Sequence, residues 1–282
     1  MKLLITGGSG FLGSHLLTLA KEQHETFATF FSRPFDGGLP LDMRDDDAVK
    51  HLFAEVKPDC VIHTAYDKAR RAVIVMGTAN IAAAAQAHGA RLVHLSTDVV
   101  FSGARGSYRE DDALDPVTEY GQMKADAERV VMAHAPDALM VRTSLIYGTA
   151  ADDERDAHVR LIVDGLRERH PVTLFTDEYR CPICVDDLAR ALLELVSSTS
   201  PPTPLLVGEG SGPLHIVGAE RVSRYEFGVL IARYHGLDPS PLVATTSEAL
   251  GMVRPKDCSL NMDKVRALLR TPLRGVSEVL RR

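Results

Sequence analysis

A chain of 282 residues, 45% hydrophobic and 25% charged, is long enough to bury a large core in one domain or a domain and a half. Its net charge of −6, with no dense Lys/Arg cluster, argues against a nucleic-acid footprint. The apolar run in MKLLITGGSG breaks at glycines too soon for a signal peptide, and no stretch approaches a membrane span, so a soluble cytoplasmic protein is expected.

Along the chain, residues 2–6 (KLLIT) read as a short apolar strand. Residues 11–23 follow as a helix, with Phe11, Leu12, Leu16, Leu19 and Ala20 at helical spacing. A second strand is expected at 26–31, a helix at 45–56 and a strand at 59–65. The alanine-rich stretch from Val75 to His88 predicts a strong helix closed by Gly89. A strand at 91–97 leads through a long loop to a helix carrying Tyr120, then a strand at 138–144. Short apolar strands alternating with helices predict an α/β fold with a parallel sheet covered on both faces. Beyond it, VDDLARALLELV is a helix with Asp186 as its N-cap, and TSPPTP at 199–204 is a stiff connector. A strand is expected at 213–218. Ser223 and Glu226 spell a capping box opening an amphipathic helix that ends at Gly236.

The four cysteines include a CPIC stretch, Cys181 and Cys184. No second pair or histidines at ligand spacing follow it, so buried structural thiols are expected rather than a zinc site. His94 alternates inward on its strand and reads as a core residue; His63 lies near the strand end with no acid partner visible. The Asp-rich stretches 42–47 and 109–115 read as solvated loops. No metal site is expected.

The stretch TGGSGFLGSH sits between the first strand and the first helix. Gly8, Gly10 and Gly13 satisfy GxGxxG, and Gly7, Gly10 and Gly13 satisfy GxxGxxG. Such glycines permit a tight turn, close approach to a pyrophosphate, and close helix–strand packing. The second strand ends in FFSRPF, with no acid to accept from a ribose 2′-hydroxyl. Ser32 and Arg33 stand there instead, which favours NADP over NAD. Asp42 is placed either to accept from an adenine amino group or to cap the next helix.

Tyr120 and Lys124 lie one helical turn apart. A phenol is a poor acid–base group at neutral pH, and a neighbouring ammonium lowers its pKa. Thr97, at the carboxyl end of its strand, can hold a carbonyl oxygen while Tyr120 donates a proton to it.

These segments together carry a resemblance: TGGSGFLG, PDCVIHTAYDKA (58–69), LVHLSTDVVFSG (92–103), YREDDALDPVTEYGQMKADAE (108–128), VRTSLIYG (141–148), CPICVDDLARALLEL (181–195), LHIVGAERVSRYEFG (214–228) and RPKDCSLNMDKV (254–265). The chain resembles an extended short-chain dehydrogenase/reductase and, more narrowly, is similar to the dTDP-4-dehydrorhamnose reductase family. The resemblance implies a Rossmann-type doubly wound parallel sheet over 1–145 plus 181–200. It also implies a smaller substrate-binding α/β lobe over 146–180 plus 208–282.

The activity it implies is NAD(P)H-dependent reduction of a nucleotide-linked 4-keto sugar. Thr97, Tyr120 and Lys124 fall on the catalytic positions. Cofactor positions are Gly7, Gly10, Phe11, Leu12, Gly13, Ser32, Arg33, Asp42, Met43, Thr64, Ala65 and Tyr66, with Tyr120 and Lys124. Substrate positions are Asp98, Val99, Leu145 and Arg254; Arg254 is a diphosphate grip or a structural salt bridge. The implied cofactor is NADPH, with NAD left open. The implied partner is a nucleotide-sugar or related carbonyl substrate, neither nucleic acid nor membrane, and a homodimer is left open.

The chain departs from the family pattern at several points. Val99 stands for a tyrosine, Leu145 for a tryptophan and Ile74 for an asparagine, and the segment after Ala65 is shortened. The same family includes regulatory subunits of methionine adenosyltransferase, so a cofactor-binding regulator is a second reading. An epimerase or dehydratase is a third.

Overall fold

The computed structural model describes residues 1–197 and 211–281; the expected connector at 199–204 lies outside them. The chain divides into two compact units. Met1–Thr97, Glu119–Arg142 and Leu192–Leu214 make the first, and Asp98–Thr118, Thr143–Ala191 and His215–Arg282 the second.

The first unit contains β1 (Lys2–Thr6), α1 (Phe11–Ala20), β2 (Glu25–Phe30), β3 (Leu39–Pro40), α2 (Asp46–Val56), β4 (Cys60–His63), α3 (Thr78–Ala87), β5 (Arg91–Thr97), α4 (Glu119–His134) and β6 (Leu139–Thr143). A seven-stranded sheet runs Gly212–His215, β6, β5, β4, β1, β2, β3. The pairings from β5 across to β3 are parallel. β1 therefore sits between β2 and β4, where the strand order turns, and ligands of such sheets bind outside the carboxyl ends at that point. Its Leu3, Leu4 and Ile5 are fully buried, as a strand covered on both faces requires. Beside it Val49, Phe53, Val61, Ile81, Ala85, Leu92 and Val131 pack into one core.

The helix ends follow local chemistry. Asp45 caps α2 by accepting from the Ala48 amide, so the capping alternative for Asp42 falls instead to Asp45. Gly89 adopts φ +65° just past α3, a left-handed position that glycine takes without strain. The expected helix from Val75 differs: Ala72–Gly77 form a turn of π-helix, and the α-helix proper begins at Thr78. Such wider turns are rare and recur at functional sites.

The second unit holds α5 (Ala157–Arg167), α7 (Arg224–Tyr234) and the first part of α6 (Val185–Ser197). Its strands pair in twos: Ile146–Tyr147 with Ile183–Cys184, Tyr179–Arg180 with Val222–Ser223, and Val172–Phe175 with Leu242–Thr245. Tyr147, Val159, Ile162, Phe227 and Ile231 are fully buried in its core. The capping box forms as expected: the Glu226 amide donates to Ser223 Oγ at 3.1 Å, and the Ser223 amide donates to Glu226 Oε2 at 2.7 Å. Asp186 is not the N-cap of α6. The helix starts at Val185, so Asp186 and Asp187 stand inside its first turn, where the dipole favours negative charge. Asp187 is buried and held by Arg274 at 2.6 Å. The strand expected at 213–218 is confined to Gly212–His215.

All four cysteines are buried and free. Burial pushes the Cys60 thiol up to about 12 and Cys181 to about 11, so both stay protonated and unreactive at neutral pH. The described residues contain no cluster of metal-ligating side chains and no helix long and apolar enough to cross a membrane.

Candidate active site and cofactor cleft

The glycine loop joins β1 to α1 as a tight turn. Gly7 adopts φ +74°, and a Cβ there would lie 2.9 Å from the Ala65 Cα. Gly13 packs harder still, its notional Cβ 2.2 Å from the Gly7 carbonyl oxygen. Two backbone segments thus approach at distances only glycine tolerates. Gly13→Ala is expected to cost about 1–3 kcal/mol, because the added methyl meets backbone that cannot swing aside. A urea titration measures this, and an unchanged midpoint would count against the packing reading. α1 opens at Gly10 with no side-chain cap and no acid in its first turn. Its free amides and positive dipole end suit a diphosphate, so the loop fits a dinucleotide.

The loop forms one wall of a cleft in the first unit. Gly7, Gly10, Ser32, Arg33, Asp42, Met43, Thr64, Ala65 and Tyr66 converge on it. Phe11, Leu12 and Gly13 contribute no lining side chain, only the backbone amides that open α1: Leu12 is buried in α1 and Gly13 packs on the loop. Thr64 Oγ1 donates to the Thr6 carbonyl at 2.7 Å, and the Gly8 amide donates to the Thr29 carbonyl at 2.7 Å, which ties the ends of β1, β2 and β4 together.

Asp42 lines the cleft, but its carboxylate is occupied. Arg44 Nε and Nη2 donate to it at 2.9 and 2.6 Å, and that hydrogen bonding holds the carboxyl below its ordinary value. Phe31, Arg44 and Arg70 also line the cleft, and residue-by-residue reading missed all three. The available signal was an exposed aromatic directly after a strand, with arginines in two later loops.

The remaining members of this unit lie near β5 and α4. Thr97 is half-buried at the end of β5, and Tyr120 is half-buried in the first turn of α4. The Tyr120 ring is 6.3 Å from that of Tyr66, and Lys68 Nζ is 6.0 Å from its centroid. Lys124 is buried, one turn along, and its ammonium donates to the Leu95 carbonyl at 2.5 Å. Ile74, expected at the family's asparagine position, is apolar packing against Met123 and Ala127.

Burial lowers Lys124 to about 8, opposed by the carboxylate of Glu128 one turn on. At neutral pH the lysine is still mostly charged. Below pH 8 the folded and unfolded chains both hold the proton, and the buried charge weighs against folding. Between about 8 and the ordinary lysine value of 10.5 the unfolded chain binds more protons, so stability rises with pH there. Lys124→Met is therefore expected to raise stability at pH 7 by about 2 kcal/mol after the lost hydrogen bond is subtracted. The gain should fade by pH 10. Urea midpoints at the two pH values measure it, and a less stable variant at pH 7 would contradict it.

Two histidines lie close by. His63 Nδ1 and Nε2 sit 2.6 and 3.0 Å from the hydroxyls of Thr6 and Thr78. Burial lowers His63 to about 3 and takes His94 down as well, so both are neutral. His94 is a core residue, as its place in the strand predicts.

The expected substrate residues belong to the second unit. Asp98 is buried and accepts from Ser144 Oγ at 2.6 Å. Arg254 Nε donates to the buried Glu178 at 2.5 Å, the salt-bridge alternative for this residue. Val99 and Leu145 are half-buried.

Known proteins resemble this chain in sequence and fold. The chain matches the family described as RmlD substrate binding domain over residues 1–282. It is 29% identical to a dTDP-4-dehydrorhamnose reductase of Aggregatibacter actinomycetemcomitans, covering 94% of this chain and 92% of that protein. It is 30% identical to methionine adenosyltransferase 2 subunit beta of Xenopus laevis, covering 99% and 87%. The crystal structure of dTDP-4-dehydrorhamnose reductase from Bacillus anthracis in complex with NADP superposes with a TM-score of 0.81 at 26% identity, covering 99% and 96%. With its glycine loop, Tyr–Lys helix and parallel sheet, the chain belongs to the RmlD substrate binding domain family of extended short-chain dehydrogenase/reductases.

Proposed function

We propose that this protein is an NADPH-dependent reductase of a nucleotide-linked 4-keto sugar, with Tyr120 as proton donor. The observation that carries the reading is the buried Lys124 one helical turn from the half-buried Tyr120 on α4. A buried ammonium there stabilises the phenolate left after proton donation, which makes a tyrosine competent near neutral pH. Thr97, at the end of β5, donates a hydrogen bond to the substrate oxygen as negative charge develops on it. The bound nicotinamide supplies the hydride. The free amides of α1 hold the diphosphate, and Ser32 and Arg33 meet the adenosine ribose. The reductase name and NADP complex of the relatives support the same activity.

One observation favours a second reading. Full-length similarity to a methionine adenosyltransferase subunit fits a chain that keeps the cofactor cleft and acts by binding another enzyme. NADPH oxidation with a panel of nucleotide-linked 4-keto sugars separates the two. Turnover supports the reductase. Tight NADPH binding without turnover on any of them would remove it and leave the regulator.

A further inference from the structure

The cleft of the first unit holds more positive charge than the residues just after β2 account for. Three arginines line it, Arg33, Arg44 and Arg70, against two aspartates, Asp42 and Asp67. Arg44 comes from the loop after β3 and Arg70 from the segment after β4. Both are propped on one ring: their guanidinium carbons lie 5.7 and 5.9 Å from the centroid of Phe31. Phe31 follows β2 directly and is 56% exposed. An aromatic ring so exposed adds little to the core, but its face attracts cations and fixes where they stand.

Each arginine also has its own carboxylate. Arg44 is bidentate on Asp42, and Arg70 Nε donates to Asp67 Oδ2 at 2.8 Å. The pairs orient the guanidiniums, and Asn80 braces Arg44 by donating its side-chain amide to the Met43 and Arg44 carbonyls at 3.0 and 3.2 Å. Arg70 also adds to the pull that lowers the Asp42 carboxyl, which places the two pairs in one field.

A dinucleotide bound at this sheet lays its adenosine ribose beside the carboxyl end of β2. An acid there would accept from a 2′-hydroxyl and repel a 2′-phosphate. The residues present are Phe31, Ser32 and Arg33. We infer that Arg44 and Arg70, both propped against Phe31, join Arg33 to clamp the 2′-phosphate of the cofactor, so that three separate loops select NADPH over NADH. This rests on the cofactor reading of the cleft. It assigns a role to two arginines that the glycine motif and the end of β2 do not contain. Guanidinium forks suit phosphate oxygens, and each retains N–H groups beyond those its carboxylate takes.

The test uses two small probes that differ only by the phosphate in question, adenosine 2′,5′-bisphosphate and adenosine 5′-monophosphate, titrated calorimetrically into the full chain. The wild type should bind the bisphosphate at least tenfold tighter. Arg70→Ala should lose most of that preference while its affinity for the monophosphate stays within twofold, and Arg44→Ala should behave alike. A variant that weakens both probes equally, or neither, overturns the clamp. Removing Arg70 also releases the Asp67 carboxylate, which would itself repel phosphate. The double variant Asp67→Asn/Arg70→Ala resolves this: a persisting loss supports the arginine as phosphate ligand, and full recovery overturns it. A folded wild type that binds neither probe would remove the cofactor reading itself, a result distinct from binding both equally.

Discussion

Tyr120→Phe is expected to lower kcat about 1,000-fold, the usual scale for losing a positioned proton donor, with NADPH affinity held within threefold. The substitution removes one oxygen and keeps the ring that lies 6.3 Å from Tyr66. The side chain is only half-buried, so little packing is lost and the fold should tolerate the change. The effect should fall on kcat and kcat/KM alike, because the hydroxyl acts as charge develops on the substrate oxygen rather than in the ground state. Stopped-flow NADPH oxidation reads both constants. Wild-type rates in the variant would remove Tyr120 as donor and direct attention to another hydroxyl near the end of β5.

Arg142→Met should destabilise the protein by about 3–5 kcal/mol, the cost of stranding one member of a buried ion pair. Arg142 on β6 and Glu128 on α4 are 5% and 4% exposed and meet at 2.9 Å. Ser96 donates to the same carboxylate at 2.5 Å. Without the guanidinium, Glu128 keeps a buried charge with only the Ser96 hydroxyl on it and the Lys124 ammonium one turn back. Pairing the change with Glu128→Leu should recover most of the loss, since replacing both partners by apolar groups of similar size is often neutral. Urea unfolding of the wild type, both single variants and the double variant measures the coupling. A loss below about 1 kcal/mol in Arg142→Met would mean that water reaches the carboxylate.

The alternation of apolar runs and helical patterns was enough to lay out β1, β2, β4, β5 and β6 of the first unit, because a parallel sheet buried on both faces writes itself as short apolar segments; the two-residue β3 (Leu39–Pro40) is too short to show such a pattern. The capping box at Ser223 was legible for the same reason, since its chemistry is local to four residues. The π-helical turn at Ala72–Gly77 was not. One wider turn inside AVIVMG leaves a nearly continuous apolar run without a readable period. The start of α6 was misjudged because an aspartate in the first turn looks the same as one at the cap. In the cleft, the residues after β1, β2 and β4 were readable because each directly follows a strand end. Arg44 and Arg70 were not, because loop arginines resemble solvated ones until the fold brings them to Phe31. The Glu128–Arg142 pair had a faint signature, a charged residue inside the otherwise apolar strand LMVRT, every residue of which is buried.

The central position of β1 has a consequence for how the chain reaches this structure. β1 is made well before β4, so one of its two edges stays open until β4 is added on that side, with Thr6 meeting His63 across 57 residues. At usual synthesis rates the wait is about 3–11 s, long compared with local helix and loop closure. During that interval an apolar, fully buried-to-be strand has only β2 beside it. The nascent chain therefore passes through a stage in which an apolar strand edge is a template for wrong pairing, and helper proteins that shield such edges would act on the stretch from β1 to β4 rather than on the finished fold.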